Sequence, residues 1–155
     1  VEKMQIPKTI YYLFISLVLL ILMFDTYLYF SSVSNFRDAL GQALDAAIVA
    51  GVDEPESQHG QMTVNYAAAH TAAEACLQKN LQLDENLCNQ FYENSAFTLE
   101  VRPNSGSGSL GGTSGSNIIE GKFTTHIRLL CLKMLGLGAL PYSLTKTQDF
   151  LSSYI

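Results

Sequence analysis

Ile10-Tyr11-Tyr12-Leu13-Phe14-Ile15-Ser16-Leu17-Val18-Leu19-Leu20-Ile21-Leu22-Met23-Phe24 is apolar apart from Ser16 and two tyrosine hydroxyls, and Asp25 alone separates it from Thr26-Tyr27-Leu28-Tyr29-Phe30. No turn signal follows. Val33, Phe36, Leu40, Ala43, Ala47 and Ala50 continue at three- and four-residue spacing, with Asn35, Arg37, Asp38, Gln42 and Asp45 on the other face. That is the period of an amphipathic helix. Neither a proline nor a paired glycine interrupts the stretch from Thr9 to Gly51, so the pattern predicts one helix of about 40 residues, roughly 60 Å long at 1.5 Å per residue. Pro7 suits its first turn, where a missing N–H is no loss. A 155-residue chain that commits so much to one apolar rod needs it as an anchor, as an assembly device, or as both in turn.

Charge orients the rod. Lys3 and Lys8 precede the apolar run and Arg37 is the first cation after it, an asymmetry that puts the N-terminal end in the cytoplasm and the rest of the chain outside. The run passes into further helix without the small residues of a cleavage site, so it is expected to be retained. Across the chain the net charge is −5, with nine Lys and Arg in no basic stripe, which argues against a nucleic-acid partner.

The chain divides at Gly51 to Gly60, where Gly, Pro and acidic residues cluster. Residues 1–51 form the long helix, for membrane residence and polymerisation, and residues 52–155 an outward-facing α+β domain. A second helix is expected from about Thr63 to Lys79, rich in alanine, with Val64, Ala68, Ala72, Ala75 and Cys76 on one face. The rhythm then turns to period two. Phe97, Leu99 and Val101 mark a half-buried strand, and Ile119, Gly121, Phe123, Thr125, Ile127, Leu129 and Cys131 a longer one. The Gly/Ser tract between them, residues 104–117, reads as a flexible hairpin tip. Tyr142 to Thr147 reads as a third strand, giving a small antiparallel sheet of about three strands.

Chemistry-bearing patterns are absent from the sequence. His59, His70 and His126 have no paired ligand spacing, no nucleophile elbow or phosphate-binding loop occurs, and Asp53, Glu54 and Glu56 do not match a calcium loop. The expectation is a non-enzyme with no catalytic residue, metal or cofactor. The three cysteines suggest, for an exported chain, one disulfide and one buried thiol. Cys76–Cys88 would tie the end of a helix to the loop after it, leaving Cys131 as a small core residue in a strand. Asp25 carries two readings. It lies at the outer interface beside a Tyr27 and Tyr29 belt, or it pairs with Lys3, Lys8 or the terminal amine of a neighbouring subunit and sets axial register.

Three stretches together resemble the pilin-like proteins of tight-adherence systems, the TadE/TadG branch of the type IV pilin superfamily. They are Ile21 to Tyr29, with its acid inside an apolar helix, the alanine-rich Asn35 to Gly51, and the short apolar segment and final strand from Leu130 to Thr145. Where type IV pilins carry a glutamate at the fifth position this chain has Gln5, with Glu2 the nearest acid. The resemblance implies a structural subunit of a pilus-like extracellular filament, held in the cytoplasmic membrane before assembly and then polymerised with itself by a secretion and assembly machinery. The polymerisation core would be Ile10, Phe14, Leu17, Leu20, Ile21 and Phe24. The alternative is a permanently membrane-anchored minor pseudopilin or pilus assembly factor.

Overall fold

The computed structural model describes residues 5–51, 64–103 and 117–149. Helix α1 runs from Gln5 to Gly51, 47 residues without a break, and passes through Asp25 as its hydrogen-bonding period requires. Helix α2 covers Tyr66–Leu81. Strands β1 (Tyr92–Pro103) and β2 (Asn117–Ile127) pair antiparallel, and β3 (Leu140–Asp149) pairs antiparallel with the other side of β2. A short helix α3, Leu130–Met134, connects β2 to β3. The fold is α+β, with strand order β1-β2-β3. The Gly/Ser tip, the acidic segment 53–56 and His59 lie outside the described residues.

α1 and α2 cover one face of the sheet. From Ser32 onward α1 buries Phe36, Ala39, Leu40, Ala43, Leu44, Ala47 and Ile48, and these meet Ile119, Phe123 and Ile127 of β2 in one core. Ala50, placed on that face by spacing, is instead exposed. Phe36 is the aromatic centre, with ring centroids 4.8 Å from Tyr92, 5.4 Å from Phe123 and 5.5 Å from Tyr142. α2 lies over β1. The Tyr66 hydroxyl donates to the Leu99 carbonyl at 2.7 Å, and His70 packs on Phe97 at 5.5 Å.

Closest approach is set by missing side chains. A Cβ on Gly121 would lie 2.8 Å from Leu44 Cδ2, so α1 seats on the middle strand only because β2 has no side chain there. Where α2 begins, its Asn65 N–H donates to the Gly51 carbonyl at 2.8 Å, and a Cβ on Gly51 would meet that of Ala69 at 3.0 Å.

Several expectations need correction. The packed face of α2 is Ala69, Ala73, Leu77 and Leu81, one residue round from the face read off the alanines, and Ala75 is exposed. Small residues on every side gave the helix no clear apolar stripe; Leu77 and Leu81, four apart, decide it. β2 ends at Ile127 rather than at Cys131. β1 begins earlier than its alternation suggested, and a bulge between Glu93 and Ala96, with Asn94 at φ 50°, lets Tyr92 and Phe97 both face inward although five residues apart.

Filling the Gly121 notch tests the seating of α1. Gly121→Ala in the full chain in detergent should cost about 1–3 kcal/mol, a fall of several degrees in thermal midpoint followed by circular dichroism. Gly138→Ala, where a Cβ would find nothing within 4 Å, should leave the midpoint unchanged.

Candidate functional site

The site is the N-terminal half of α1 and the part of the domain that grips it. All six residues expected to form a polymerisation core lie on one arc, about a third of the helix circumference at 3.6 residues per turn. Five of them, Ile10, Phe14, Leu17, Leu20 and Phe24, are exposed, and Ile21 is half-buried. Exposure is not confined to that arc. On the opposite side two rows at four-residue spacing, Leu19-Met23-Tyr27 and Leu22-Thr26-Phe30, enclose a shallow apolar groove, the ridge-and-groove surface with which helices pack on one another. Thr26 takes no polar partner from that groove, because its hydroxyl donates back to the Leu22 carbonyl at 2.8 Å. This helix is long and apolar enough to cross a membrane, and little of its apolar stretch touches the rest of the chain.

At Asp25 the environment changes. Its side chain is only 5% exposed, and its two oxygens accept the backbone N–H groups of Leu130 at 3.0 Å and Cys131 at 2.5 Å. These are two of the donors that the first turn of α3 leaves unpaired, and Leu129, the residue before it, makes no side-chain cap. Asp25 therefore caps a helix 105 residues away in sequence. Neither this partner nor α3 is legible in the sequence: in place of headgroups or a neighbour's cation, the carboxylate finds backbone amides within its own chain. Two turns further on, Ser32 accepts a buried hydrogen bond from the Tyr92 hydroxyl at 3.0 Å. Asp25 and Ser32 fasten α1 to one end of the sheet, where β1 starts opposite the end of β2, before the apolar core begins at Phe36.

Beyond its first turn the β2–β3 connection turns outward. Leu130, Met134, Leu135 and Leu137 are 47%, 70%, 72% and 58% exposed. Behind them a cleft of about 400 Å³ is lined by Glu93, Arg128 and Lys133, with Glu93 and Arg128 joined as an ion pair.

The cysteines do not behave as spacing suggested. All three are free thiols. Cys76 sulfur accepts from Asn80 Nδ2 at 3.4 Å, one turn along α2, whereas the Cys88 thiol faces the Asn86 carbonyl at 3.3 Å in a loop held by Asp84. The Cys76–Cys88 bridge is thus not formed, and Cys131 is a half-buried residue of α3 rather than part of a strand. Among the described residues, no group of three or more His, Cys, Asp and Glu is placed to hold a metal ion. His70 lies between Tyr66 and Phe97 with Glu74 3.6 Å away, a packed surface histidine. On the outer face of the sheet Glu100, and more weakly Glu120, hold the exposed Arg102 guanidinium above its ordinary range. This pairing joins neighbouring strands at the surface.

No protein-family model, curated protein or solved structure matches this chain.

Removing the acceptor should release α3 without unfolding the domain. Asp25→Ala leaves two amide donors without partners, about 1–3 kcal/mol, and should raise hydrogen exchange at Leu130 and Cys131 while Phe123 and Ile119 stay protected. Asp25→Asn, which keeps one acceptor oxygen, should fall between. Equal exchange in all three proteins would show that Asp25 does not hold the helix.

Proposed function

We propose that the chain is a structural subunit of a pilus-like extracellular filament, built on a core of apolar N-terminal helices. The observation that carries this reading is the bare rod. Thirteen large apolar side chains between Ile10 and Phe24 are exposed, and at about 1.5–3 kcal/mol for each one buried, leaving them in water forfeits on the order of 20 kcal/mol or more. That exceeds the roughly 5–15 kcal/mol by which a whole domain is stable. A helix apolar on all sides must therefore be covered on all sides. A bilayer does this for the isolated subunit, and identical helices of neighbours do it in a filament. The exchange is feasible because the two surroundings bury the same surface, with packing contacts replacing lipid contacts.

Two further features support assembly. An anchor alone needs about 20 apolar residues, and here the span continues into a rigid stem without a linker, so the position of the rod fixes the position of the domain. The opposed faces of the rod, one with the Ile10-Phe14-Leu17-Ile21 row and one with the groove beside Leu19 and Leu22, allow each helix to touch more than one neighbour. The resemblance of Ile21–Tyr29 and Asn35–Gly51 to tight-adherence pilins points the same way. On this reading the subunit resides in the cytoplasmic membrane, is drawn into the filament by an assembly machinery, and turns its sheet outward.

The test separates rod from sheet. Leu19→Lys places a charge in the apolar contact, about 2.5–3.5 kcal/mol per subunit on insertion scales, and should abolish filaments in sheared supernatant by negative-stain microscopy while the domain stays folded. A chain beginning at Asp25 keeps the partner of α3 and should be a soluble monomer. Ordered filaments from that shortened chain would overturn the helix-cored reading and move assembly to the sheet edges. A subunit that stays in the membrane fraction of cells that carry the assembly machinery, with no surface filament, would favour the permanently anchored alternative.

A further inference from the structure

We infer that the β2–β3 connection is a second membrane-contact element: α3 and the residues after it form an apolar foot that rests in the outer interface of the bilayer while the subunit is unassembled. The inference rests on the reading that the N-terminal half of α1 spans that bilayer.

Position is the first ground. From Lys8, whose long side chain can reach the cytoplasmic headgroups, to Asp25 the helix rises about 26 Å, close to the roughly 30 Å of a hydrocarbon core. Asp25 is the first charge after the apolar run, and its carboxylate holds the first two N–H groups of α3. The connection is thus pinned where the rod leaves the hydrocarbon. Exposed Tyr27 and Phe30 flank that level on α1, the depth at which aromatic side chains collect.

Composition is the second. Leu130, Met134, Leu135 and Leu137 lie within eight residues and are all substantially exposed. Unlike the core-facing residues of β2, they have no layer of the domain above them. Amphipathic elements that lie in an interface bury such residues about 5–10 Å deep.

Charge is the third. From Arg128 to Leu140 the chain carries two cations, Arg128 and Lys133, and no carboxylate, although its net charge is −5. Both cations line the cleft beside the foot, with the Arg128 guanidinium paired to Glu93 and Lys133 exposed. Apolar residues with adjoining basic ones suit a surface containing anionic phospholipid, whose negative potential attracts cations near the headgroups. The rest of an acidic domain would be repelled from it, so the foot is the contact by which the domain can stand on the membrane.

The chain contains no tryptophan, so a single introduced indole reports without background. The full-length protein would be reconstituted into phosphatidylcholine–phosphatidylglycerol vesicles carrying bromine at shallow or deep acyl positions. Leu135→Trp probes the foot and Leu19→Trp the rod. Val49→Trp, at a site 76% exposed near the far end of α1, is the control. Leu135→Trp should be blue-shifted and quenched chiefly by shallow bromines, Leu19→Trp by deep ones, and Val49→Trp by neither. Adding Lys133→Glu to Leu135→Trp should reduce its quenching in the anionic vesicles. Quenching at Leu19→Trp with none at Leu135→Trp would overturn the foot and leave the span intact. No quenching at either would overturn the span and the foot with it. A blue shift at Leu135→Trp that bromolipid does not quench would also overturn it, assigning this surface to a neighbouring subunit.

Discussion

The domain is built against the second half of α1, and that half is covalently the same helix as the apolar rod. Leu40 and Leu44 lie on the notch at Gly121, Phe36 sits among Tyr92, Phe123 and Tyr142, and Gly51 receives the start of α2. A stop or bend between Asp25 and Ser32 would leave these contacts in place but would free the rod, and Asp25 with its hold on α3, from the position they set. The constraint on the molecule is therefore continuity: one hydrogen-bonded cylinder passes from an exposed apolar rod into a protein core without a hinge. The sequence meets it by omission, with no proline after Pro7 until Pro55 and only Gly41 as a weak point. That glycine is buried beneath Lys146, whose Nζ would lie 2.5 Å from an added Cβ. Its loss of helix propensity is tied to a close contact with β3, so an alanine there would gain propensity only by displacing the lysine.

A carboxylate at the junction is at first sight the wrong group in the wrong place. The resolution is that its partners lie within its own chain. A buried anion is tolerable when hydrogen-bond donors surround it, and the first turn of a helix supplies donors that lack partners of their own. Asp25 and α3 each remove the other's unsatisfied groups. A neutral apolar residue at 25 would suit the rod better and would leave Leu130 and Cys131 N–H buried without acceptors. The acid thus belongs energetically to the domain, although in sequence it interrupts the apolar rod. Any register role between subunits would have to work through a carboxylate already accepting two hydrogen bonds.

What was legible in the sequence follows from this division. The rod, the alternation of β2 and the three-strand sheet are written in local periodicity, and each was readable from a window of a dozen residues. The features that were missed depend on distant partners. The polar–apolar rhythm of β2 continues past Ile127 for two residues, Arg128 and Leu129, and is lost at Leu130, and nothing local says that the amides there will be taken by an aspartate 105 positions earlier. Tyr92 was passed over because the bulge at Asn94 and Ser95 puts it out of phase with Phe97. The face of α2 was misplaced by one residue because alanine provides packing surface on every side, so the partner rather than the helix chooses. Cysteine spacing allowed a bridge that the loop geometry does not make. Of the candidate site, the apolar arc from Ile10 to Phe24 was legible and its grip on the domain was not.

The junction also couples two surfaces that look independent. α1 cannot shift along its axis relative to the sheet, because Leu40 and Leu44 are held at Gly121. α3 cannot shift relative to α1, because both its leading amides end on one carboxylate. The rod, the sheet and the β2–β3 connection therefore keep a single relative height, fixed by side chains spaced along less than two-thirds of α1. A rigid stem of this kind carries any displacement of the rod directly to the domain and to the apolar residues after α3. With a flexible linker in place of Thr26 to Val33 the rod would tether the domain equally well, but it would not determine which surface the domain presents beside it. The unbroken helix is explained by that orientation: it fixes not only that the domain is joined to the rod but how it stands on it.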